Sequence, residues 1–285
     1  YHILVASSPE LLEQGKGDIW DSGKIESDAS QWITYQGKTL KCNAPYYWKV
    51  KIDTNKGATN WSAPAFWTTG LFNEADWQGQ WIGLDRAALG DSETQWSRLA
   101  ARYLRKEFAV KKSVKRATVH IAGMGLYELF INGQRIGNQV LAPAPTDYRK
   151  TILYNTYDVT SMLQTENAIG VTLGNGRFYT MRQNYKPYKI PTFGYPKLRL
   201  NLIVEYADGS KETIATNTSW KLTTEGPIRS NNEYDGEEYD ARKELGAWTQ
   251  TGYDDKNWMP AQRVSIPSGT LRAQMMPGMK VTETL

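Results

Sequence analysis

The clearest structural signal in this sequence is YELFINGQRIG, residues 127–137. Two runs of β-forming residues flank the dipeptide Asn132-Gly133 in this stretch. An Asn-Gly pair between such runs predicts a two-residue hairpin, because both central residues of a type I′ turn need a positive φ angle, which Asn and Gly adopt readily. Residues 127–131 and 134–137 are therefore expected to be neighbouring antiparallel strands.

Alternation of apolar and polar residues extends the β pattern in both directions from this hairpin. Residues 46–52 place Tyr46, Trp48 and Val50 on one side, which is the period of a half-buried strand. Related patterns predict strands at residues 1–6, 19–24, 33–35, 65–69, 101–108, 116–122, 151–154, 167–173, 197–206, 211–215 and 220–223. One helical turn is expected, at residues 158–163. The fold class is therefore predicted to be all-β.

Length and strand spacing together predict the domain organisation. The chain has 285 residues, which is more than one typical domain contains. We expect two antiparallel β-sandwiches: a small fibronectin-III or immunoglobulin-like domain at residues 1–70, and a larger jelly-roll, galactose-binding-like domain at residues 101–264. Residues 71–100 are expected to form a linker and a surface excursion, and residues 265–285 to start a following β-domain.

The composition excludes several classes of function. Cys42 is the only cysteine, which rules out an intrachain disulfide and cysteine-based zinc or iron–sulfur centres. His2 and His120 are the only histidines, which excludes a three-histidine metal site, and the apolar neighbours of His120 favour a core position for it. A net charge of +4 from scattered Lys and Arg argues against nucleic-acid binding. No apolar run is long enough to span a membrane.

Residues 177–196 form a long segment without a strand pattern, and such loops are often functional. The segment combines flat aromatic faces with planar polar groups, which suits pyranose rings, because these have apolar C–H faces and hydroxyl edges. The alternative is that the loop packs over a sheet or a neighbouring domain. The candidate sugar-binding residues in this loop and the turn before it are Asn175, Arg177, Tyr179, Asn184, Tyr188 and Tyr195.

Asp147 is a further candidate for contact with a sugar hydroxyl or a cation. It lies in a loop whose backbone is constrained by Pro143 and Pro145. The alternative is that its carboxylate closes an Asx-type turn.

A group of carboxylates at residues 235–242 is the remaining candidate for chemistry. On a strand, Glu238 and Asp240 share a face with Arg242, whereas Glu237 faces the other way. Structural ion pairing is therefore favoured here, with a ligand contact or a catalytic carboxylate pair as the alternatives.

The order of these motifs resembles the N-terminal, non-catalytic region of bacterial α-L-rhamnosidases, and the resemblance extends over nearly the whole chain. The first domain resembles the fibronectin-III-like module of that family, and the second resembles its jelly-roll module. The segments that carry the resemblance are residues 1–8, 20–23, 47–50, 61–70, 76–83, 127–133, 146–148, 157–160, 167–170 and 236–242, with residues 276–285 similar to the entry into a further β-domain.

The resemblance implies that the whole protein is an inverting glycosidase that releases terminal α-L-rhamnose. The catalytic carboxylates of the family lie in a downstream (α/α)6 barrel, so no catalytic residue is assigned to this chain. Some members bind L-rhamnose through a calcium ion in the jelly-roll module, which implies Asp147 and Pro196 as calcium ligands here.

The implied partners are the downstream catalytic domain and a carbohydrate that contains L-rhamnose. A stand-alone carbohydrate-binding module and a purely structural spacer are the alternatives. The implied location is the bacterial periplasm or the outside of the cell, with the cytoplasm as the alternative.

Overall fold

The computed structural model describes residues 1–87, 99–179, 193–233 and 236–283. Two compact units make up the chain, Tyr1–Phe72 and Asn73–Leu285. Apart from one short α-helix and three 3-10 turns, the regular secondary structure of the described residues consists of strands. The all-β prediction is confirmed.

The first unit contains one four-stranded antiparallel sheet. Its elements are β1 (His2–Ala6), α1 (Pro9–Glu13), β2 (Trp20–Asp21), β3 (Pro45–Lys51), β4 (Asp53–Thr54), β5 (Gly57–Ala58) and β6 (Ala65–Thr68). The strand order is β2-β1-β3-β6, and β4 and β5 form a separate small hairpin. Both faces of β1 are buried, because Ile3 and Val5 pack with Tyr46 on one side while Leu4 packs with Leu12 of α1 on the other.

The second unit is a sandwich of two larger sheets. Its strands are β7 (Ile82–Gly83), β8 (Arg102–Ala109), β9 (Val114–Met124), β10 (Leu126–Ile131), β11 (Gln134–Arg135), β12 (Thr151–Asp158), β13 (Glu166–Gly174), β14 (Lys197–Tyr206), β15 (Lys211–Ala215), β16 (Lys221–Thr223), β17 (Ile228–Asn232), β18 (Gly236–Tyr239), β19 (Met259–Pro260), β20 (Gln262–Arg263) and β21 (Thr270–Ala273). The 3-10 turns are Glu74–Asp76, Thr160–Met162 and Ala241–Lys243.

Long-range strand pairing builds these two sheets. The six-stranded sheet has the order β11-β10-β13-β8-β16-β19. The seven-stranded sheet has the order β20-β7-β14-β9-β12-β21, with β15 paired to β14. Buried side chains from both sheets, including Leu129 and Val171 of the first and Ile121 and Leu200 of the second, form one apolar core between them. Burial of this core is the main stabilising contribution to the unit.

The hairpin at Asn132-Gly133 forms as predicted. Asn132 has φ 51° and Gly133 has φ 81°, the left-handed values that a type I′ turn requires. Across the turn, Ile131 pairs with Gln134, which sets the register of β10 and β11. The two-residue loop therefore fixes one edge of the six-stranded sheet.

Two features of the second unit lie outside a plain antiparallel sandwich. The β17–β18 hairpin forms a separate two-stranded sheet. In addition, β21 pairs parallel with β12, so residues 265–285 contribute a strand to the seven-stranded sheet. Whether this segment also starts a further domain stays a prediction.

Candidate functional site

A cleft of about 700 Å³ lies in the second unit beside the β17–β18 hairpin and the outer face of the six-stranded sheet. Leu126 and Glu128 on β10 pair with Gly174 and Thr172 on β13, so these four positions share one face of the sheet. The residues that line the cleft are Leu126, Tyr127, Glu128, Val140, Leu141, Pro145, Tyr148, Thr172, Gly174, Gly176, Arg177, Ile228, Asn231, Asn232, Glu233, Gly236, Glu237 and Met279.

One wall of the cleft is the β17–β18 hairpin, called the hairpin wall below. Hydrogen bonds of Asn175, the residue after β13, hold it against the end of that strand. Its side chain is 1% exposed, and its Nδ2 donates to the carbonyl oxygens of Leu99 at 2.7 Å and Asn231 at 2.8 Å. Its backbone N–H also donates to Oδ1 of Asn231 at 2.6 Å. The two hydrogen bonds to Asn231 hold β17 against the end of β13, so this wall of the cleft is held by the protein's own hydrogen bonds.

Because they have no side chain, Gly174 and Gly176 can lie close to Asn231 and Leu126, which also line the cleft. A Cβ atom on Gly174 would lie 2.8 Å from Oδ1 of Asn231, and one on Gly176 would lie 2.7 Å from Cγ of Leu126. Gly176 also has φ +49°, a conformation that residues with a side chain rarely adopt. A side chain at either position would therefore displace a wall of the cleft.

Among the described residues that line the cleft, the charged groups are three carboxylates and one guanidinium. Nη1 of Arg177 lies 3.6 Å from Oε1 of Glu233, a loose ion pair in which both side chains are partly exposed. Glu128 accepts a hydrogen bond at 3.2 Å from Nε of Arg135, which does not line the cleft. The carboxylate of Glu237 makes no hydrogen bond or ion pair with the part of the chain that the structure describes. Glu237 is therefore the acid most available to a ligand.

Tyr148 adds a neutral hydroxyl to the same cleft. Its ring meets the rings of Phe178 and Phe193 edge-on, each at a centroid distance of 5.2 Å. Burial raises the pKa of Tyr148 to about 12, while the nearby charges of Arg177 and Glu233 act in opposite directions. The phenol therefore stays protonated at neutral pH and can donate a hydrogen bond.

The structure separates the predicted sugar-binding residues. Of those described, Arg177 lines the cleft, whereas Asn175 is buried behind the wall. Tyr179 and Tyr195 stack on each other at 5.6 Å, and Tyr179 is 5% exposed, so this pair uses ring surface internally. The other two predicted residues, Asn184 and Tyr188, lie outside the described residues.

The calcium site implied by the family resemblance does not fit the described residues. The Asp147 carboxylate accepts hydrogen bonds from Nε of Arg149 at 3.0 Å and from the Arg149 backbone N–H at 3.3 Å. This guanidinium lowers the pKa of Asp147. Calcium takes six to eight oxygen ligands, but among residues 1–87, 99–179, 193–233 and 236–283 no group of three or more acidic, His or Cys side chains could hold a metal ion. Pro196 is buried, and the ligand atom it could offer is its backbone carbonyl oxygen.

Sequence reasoning missed Glu128, Glu233 and the role of Glu237 in the cleft. The expected pairing of Asp240 with Arg242 is present, with Nε of Arg242 donating to Oδ1 of Asp240 at 2.8 Å. The cleft itself joins segments that are far apart in sequence, so no local motif marks it. The available signal is the alternation in β18, which places Glu237 and Glu238 on opposite faces.

Comparisons with known proteins agree on one family. The profile described as "Alpha-L-rhamnosidase N-terminal domain" matches residues 112–283, and "Rha78A-like, N-terminal immunoglobulin domain" matches residues 1–73. An alpha-L-rhamnosidase of Formosa agariphila is 39% identical over 98% of this chain, which spans 31% of that relative's length.

Solved structures give the same result. The alpha-L-rhamnosidase from Dictyoglumus thermophilum superposes with a TM-score of 0.87 at 39% identity, covering 99% of this chain and 32% of that one. The Aspergillus terreus enzyme superposes with a TM-score of 0.82 at 34% identity, covering 94% of this chain and 30% of that one. The chain thus spans about a third of the length of the relatives that it matches.

Proposed function

The chain belongs to the alpha-L-rhamnosidase N-terminal domain family, and we propose that it is the accessory N-terminal region of an α-L-rhamnosidase. The whole protein would hydrolyse terminal α-L-rhamnosyl residues of glycans or glycosides. The observation that carries this proposal is the pair of family matches, which place two N-terminal modules along a chain about one third as long as its relatives.

In this proposal the two units support a catalytic domain that lies elsewhere in the protein, and no residue of this chain is catalytic. Support comes from the sequence identity of 39% to longer α-L-rhamnosidases along nearly the whole chain. Extensive β pairing and an apolar core give the second unit the rigidity that a scaffold needs. The catalytic domain is the proposed intramolecular partner.

A carbohydrate is the proposed second partner of this region. Of the described residues that the sequence predicted to bind sugar, Arg177 alone lines the cleft, which supports a contact between this side chain and a sugar. The proposal includes no calcium ion, because the carboxylate of Asp147 is bound by Arg149. A stand-alone sugar-binding module remains the second candidate function, favoured by the same preformed cleft.

The proposed location is the bacterial periplasm or the outside of the cell, where rhamnose-containing plant glycans would be met. The cytoplasm is the alternative. None of the helices among the described residues has the length and apolar character needed to cross a lipid bilayer.

An activity assay tests the proposed function. The chain alone and a full-length relative, such as the Dictyoglumus thermophilum enzyme, are incubated with an aryl α-L-rhamnoside, and release of the aryl group is followed. We expect turnover by the full-length enzyme and none by the isolated chain. Turnover by the isolated chain would show that it carries catalytic groups of its own and would overturn the proposal.

A further inference from the structure

We propose that the cleft beside the β17–β18 hairpin is a calcium-independent binding site for a neutral pyranoside, with Glu237 and Arg177 as its main polar contacts. The inference deepens the proposed function, on which it rests for the choice of L-rhamnose as the probe sugar.

The size and rigidity of the cleft suit a small ligand. Its volume of about 700 Å³ lies within the range of small-molecule sites in proteins, which is about 300–1,000 Å³. The hydrogen bonds between Asn175 and Asn231 hold the hairpin wall before any ligand arrives. A preformed site lowers the entropic cost of binding, since little of the protein has to be ordered.

The polar groups of the cleft are suited to hydrogen bonds with neighbouring hydroxyl groups of a sugar ring. The carboxylate of Glu237, which has no hydrogen bond or ion pair with the residues that the structure describes, can accept two hydrogen bonds from hydroxyl groups, and such charge-assisted bonds are stronger than neutral ones. Arg177 is 3.6 Å from Glu233, so most of its N–H donors remain for ring or hydroxyl oxygens. Tyr148 supplies a further neutral hydroxyl.

Apolar side chains also line the cleft. Leu126, Val140, Leu141 and Met279 line the cleft, and Leu141 and Met279 are 55% and 51% exposed. Aliphatic side chains of this kind can cover the C–H face or the methyl group of a deoxy sugar. Among the described lining residues, Tyr127 and Tyr148 are each 5% exposed and offer little ring surface for stacking. Binding is therefore expected to depend on hydroxyl contacts more than on aromatic stacking.

Charge selects against acidic ligands. The lining residues that the structure describes contribute three carboxylates, those of Glu128, Glu233 and Glu237, and one guanidinium, that of Arg177. An anionic sugar would meet this net negative charge at short range, whereas a neutral pyranoside would not. A bound metal ion is also disfavoured, since no cluster of ligating side chains occurs in the described part of the chain. The cleft should therefore prefer a neutral sugar to a uronate.

Strand pairing supplies a matched control for the key residue. Glu237 pairs with Asn231 and lines the cleft, while its neighbour Glu238 pairs with Ser230 and does not line it. Both glutamates are exposed in the same strand. Glu237→Gln and Glu238→Gln therefore change charge and shape equally, at positions that differ in their access to the cleft.

The test is a titration of the 285-residue chain with methyl α-L-rhamnopyranoside and with D-galacturonate, in the presence of EDTA, followed by calorimetry or NMR. We expect weak binding of the neutral sugar and weaker or no binding of the uronate. Glu237→Gln should weaken binding of the neutral sugar about tenfold, because it removes a charged acceptor, and Glu238→Gln should leave it unchanged. Unchanged thermal unfolding midpoints would show that both variants are folded.

Several outcomes would overturn the inference. One is the absence of binding at tens of millimolar sugar, and another is binding that requires calcium. The others are tighter binding of D-galacturonate or of a simple amine than of the neutral sugar, and an equal loss of sugar affinity in Glu237→Gln and Glu238→Gln. Such a failure is distinguishable from failure of the proposed function, because that function is tested separately by aryl-rhamnoside hydrolysis with the full-length enzyme.

Discussion

The Asp147 turn and the β17–β18 hairpin both present carboxylates near an arginine, but only the hairpin leaves one available. In the turn, Arg149 donates to Asp147 through its side chain at 3.0 Å and through its backbone at 3.3 Å. In the hairpin, Glu233 is loosely paired with Arg177 and Glu237 has no such partner among the described residues. The difference lies in local geometry, since a partner two residues away in a turn can donate to the acid through both its side chain and its backbone.

The same local arrangement recurs elsewhere in the second unit. Arg242 donates to Asp240 through Nε at 2.8 Å and through its backbone at 3.1 Å. This guanidinium lowers the pKa of Asp240 to about 2. Lys256 pairs with Asp254 at 2.7 Å with the same two-residue spacing. An Asp-x-Arg or Asp-x-Lys turn is therefore a sequence signal that the acid is used within the turn, and it counts against a ligand role.

The largest expected effect is on the residue that holds the hairpin wall. Asn175→Ala removes two side-chain hydrogen bonds to buried carbonyl groups and should lower the free energy of unfolding by about 2–4 kcal/mol. Arg177→Ala, two residues away and partly exposed, should change it by less than about 0.5 kcal/mol. Chemical denaturation measures both. An equal decrease in the free energy of unfolding of the two variants would mean that the hydrogen bonds of Asn175 do not hold the β17–β18 hairpin in place.

The pH dependence of stability tests a buried polar group, His120, whereas the charged side chains of the cleft are exposed to solvent. His120 is fully buried and its Nδ1 lies 3.0 Å from Oγ1 of Thr156. Burial, with a smaller contribution from the charge of Arg116, lowers the pKa of His120 from 6.5 to about 4. Between these two pH values the unfolded chain binds more protons at His120 than the folded chain does, so the free energy of unfolding decreases as the pH falls from 6.5 towards 4. Above pH 6.5 the imidazole is neutral in both states and the full stability is present.

The predicted size of this pH effect is a loss of roughly 3 kcal/mol between those two pH values. Urea denaturation at a series of pH values measures it. His120→Gln should flatten the dependence in that window. A profile that is equally steep in wild type and variant would assign the pH dependence to other groups.

The smallest expected effect is at the residue predicted from the sequence as a calcium ligand. Asp147→Asn should leave the binding of methyl α-L-rhamnopyranoside unchanged, with or without calcium, because its carboxylate is engaged by Arg149 and lies outside the cleft lining. Calorimetry of the variant checks this. Sugar binding that requires calcium in the wild type and is lost in Asp147→Asn would reverse the comparison.

The strands were predictable where the signal is local. Alternation located β9, β13 and β14, and the Asn132-Gly133 pair located the tightest hairpin, because positive φ angles are readily adopted by those residue types. Residues 33–35 show the limit of such reasoning, since their short β-forming run has no strand structure. Three residues carry too little pattern to fix a strand without a pairing partner.

The cleft was less predictable than the strands, because its walls meet only through long-range pairing. Glu128 lies on β10 and Glu237 on β18, and nothing in either segment indicates the other. Aromatic residues were a weaker guide than they first appear, since Tyr179 and Tyr195 use their faces on each other. Arg177 was identified because it is a planar polar group in the long segment without a strand pattern, residues 177–196.

The most direct test of the account is to map a titration with methyl α-L-rhamnopyranoside onto the backbone amide signals of the isotope-labelled chain, in EDTA. We expect concentration-dependent shifts at Glu128, Thr172, Arg177 and Glu237, and unchanged signals for residues 147–150. Shifts confined to residues 147–150 that appear only with added calcium, or no shifts at all, would contradict it.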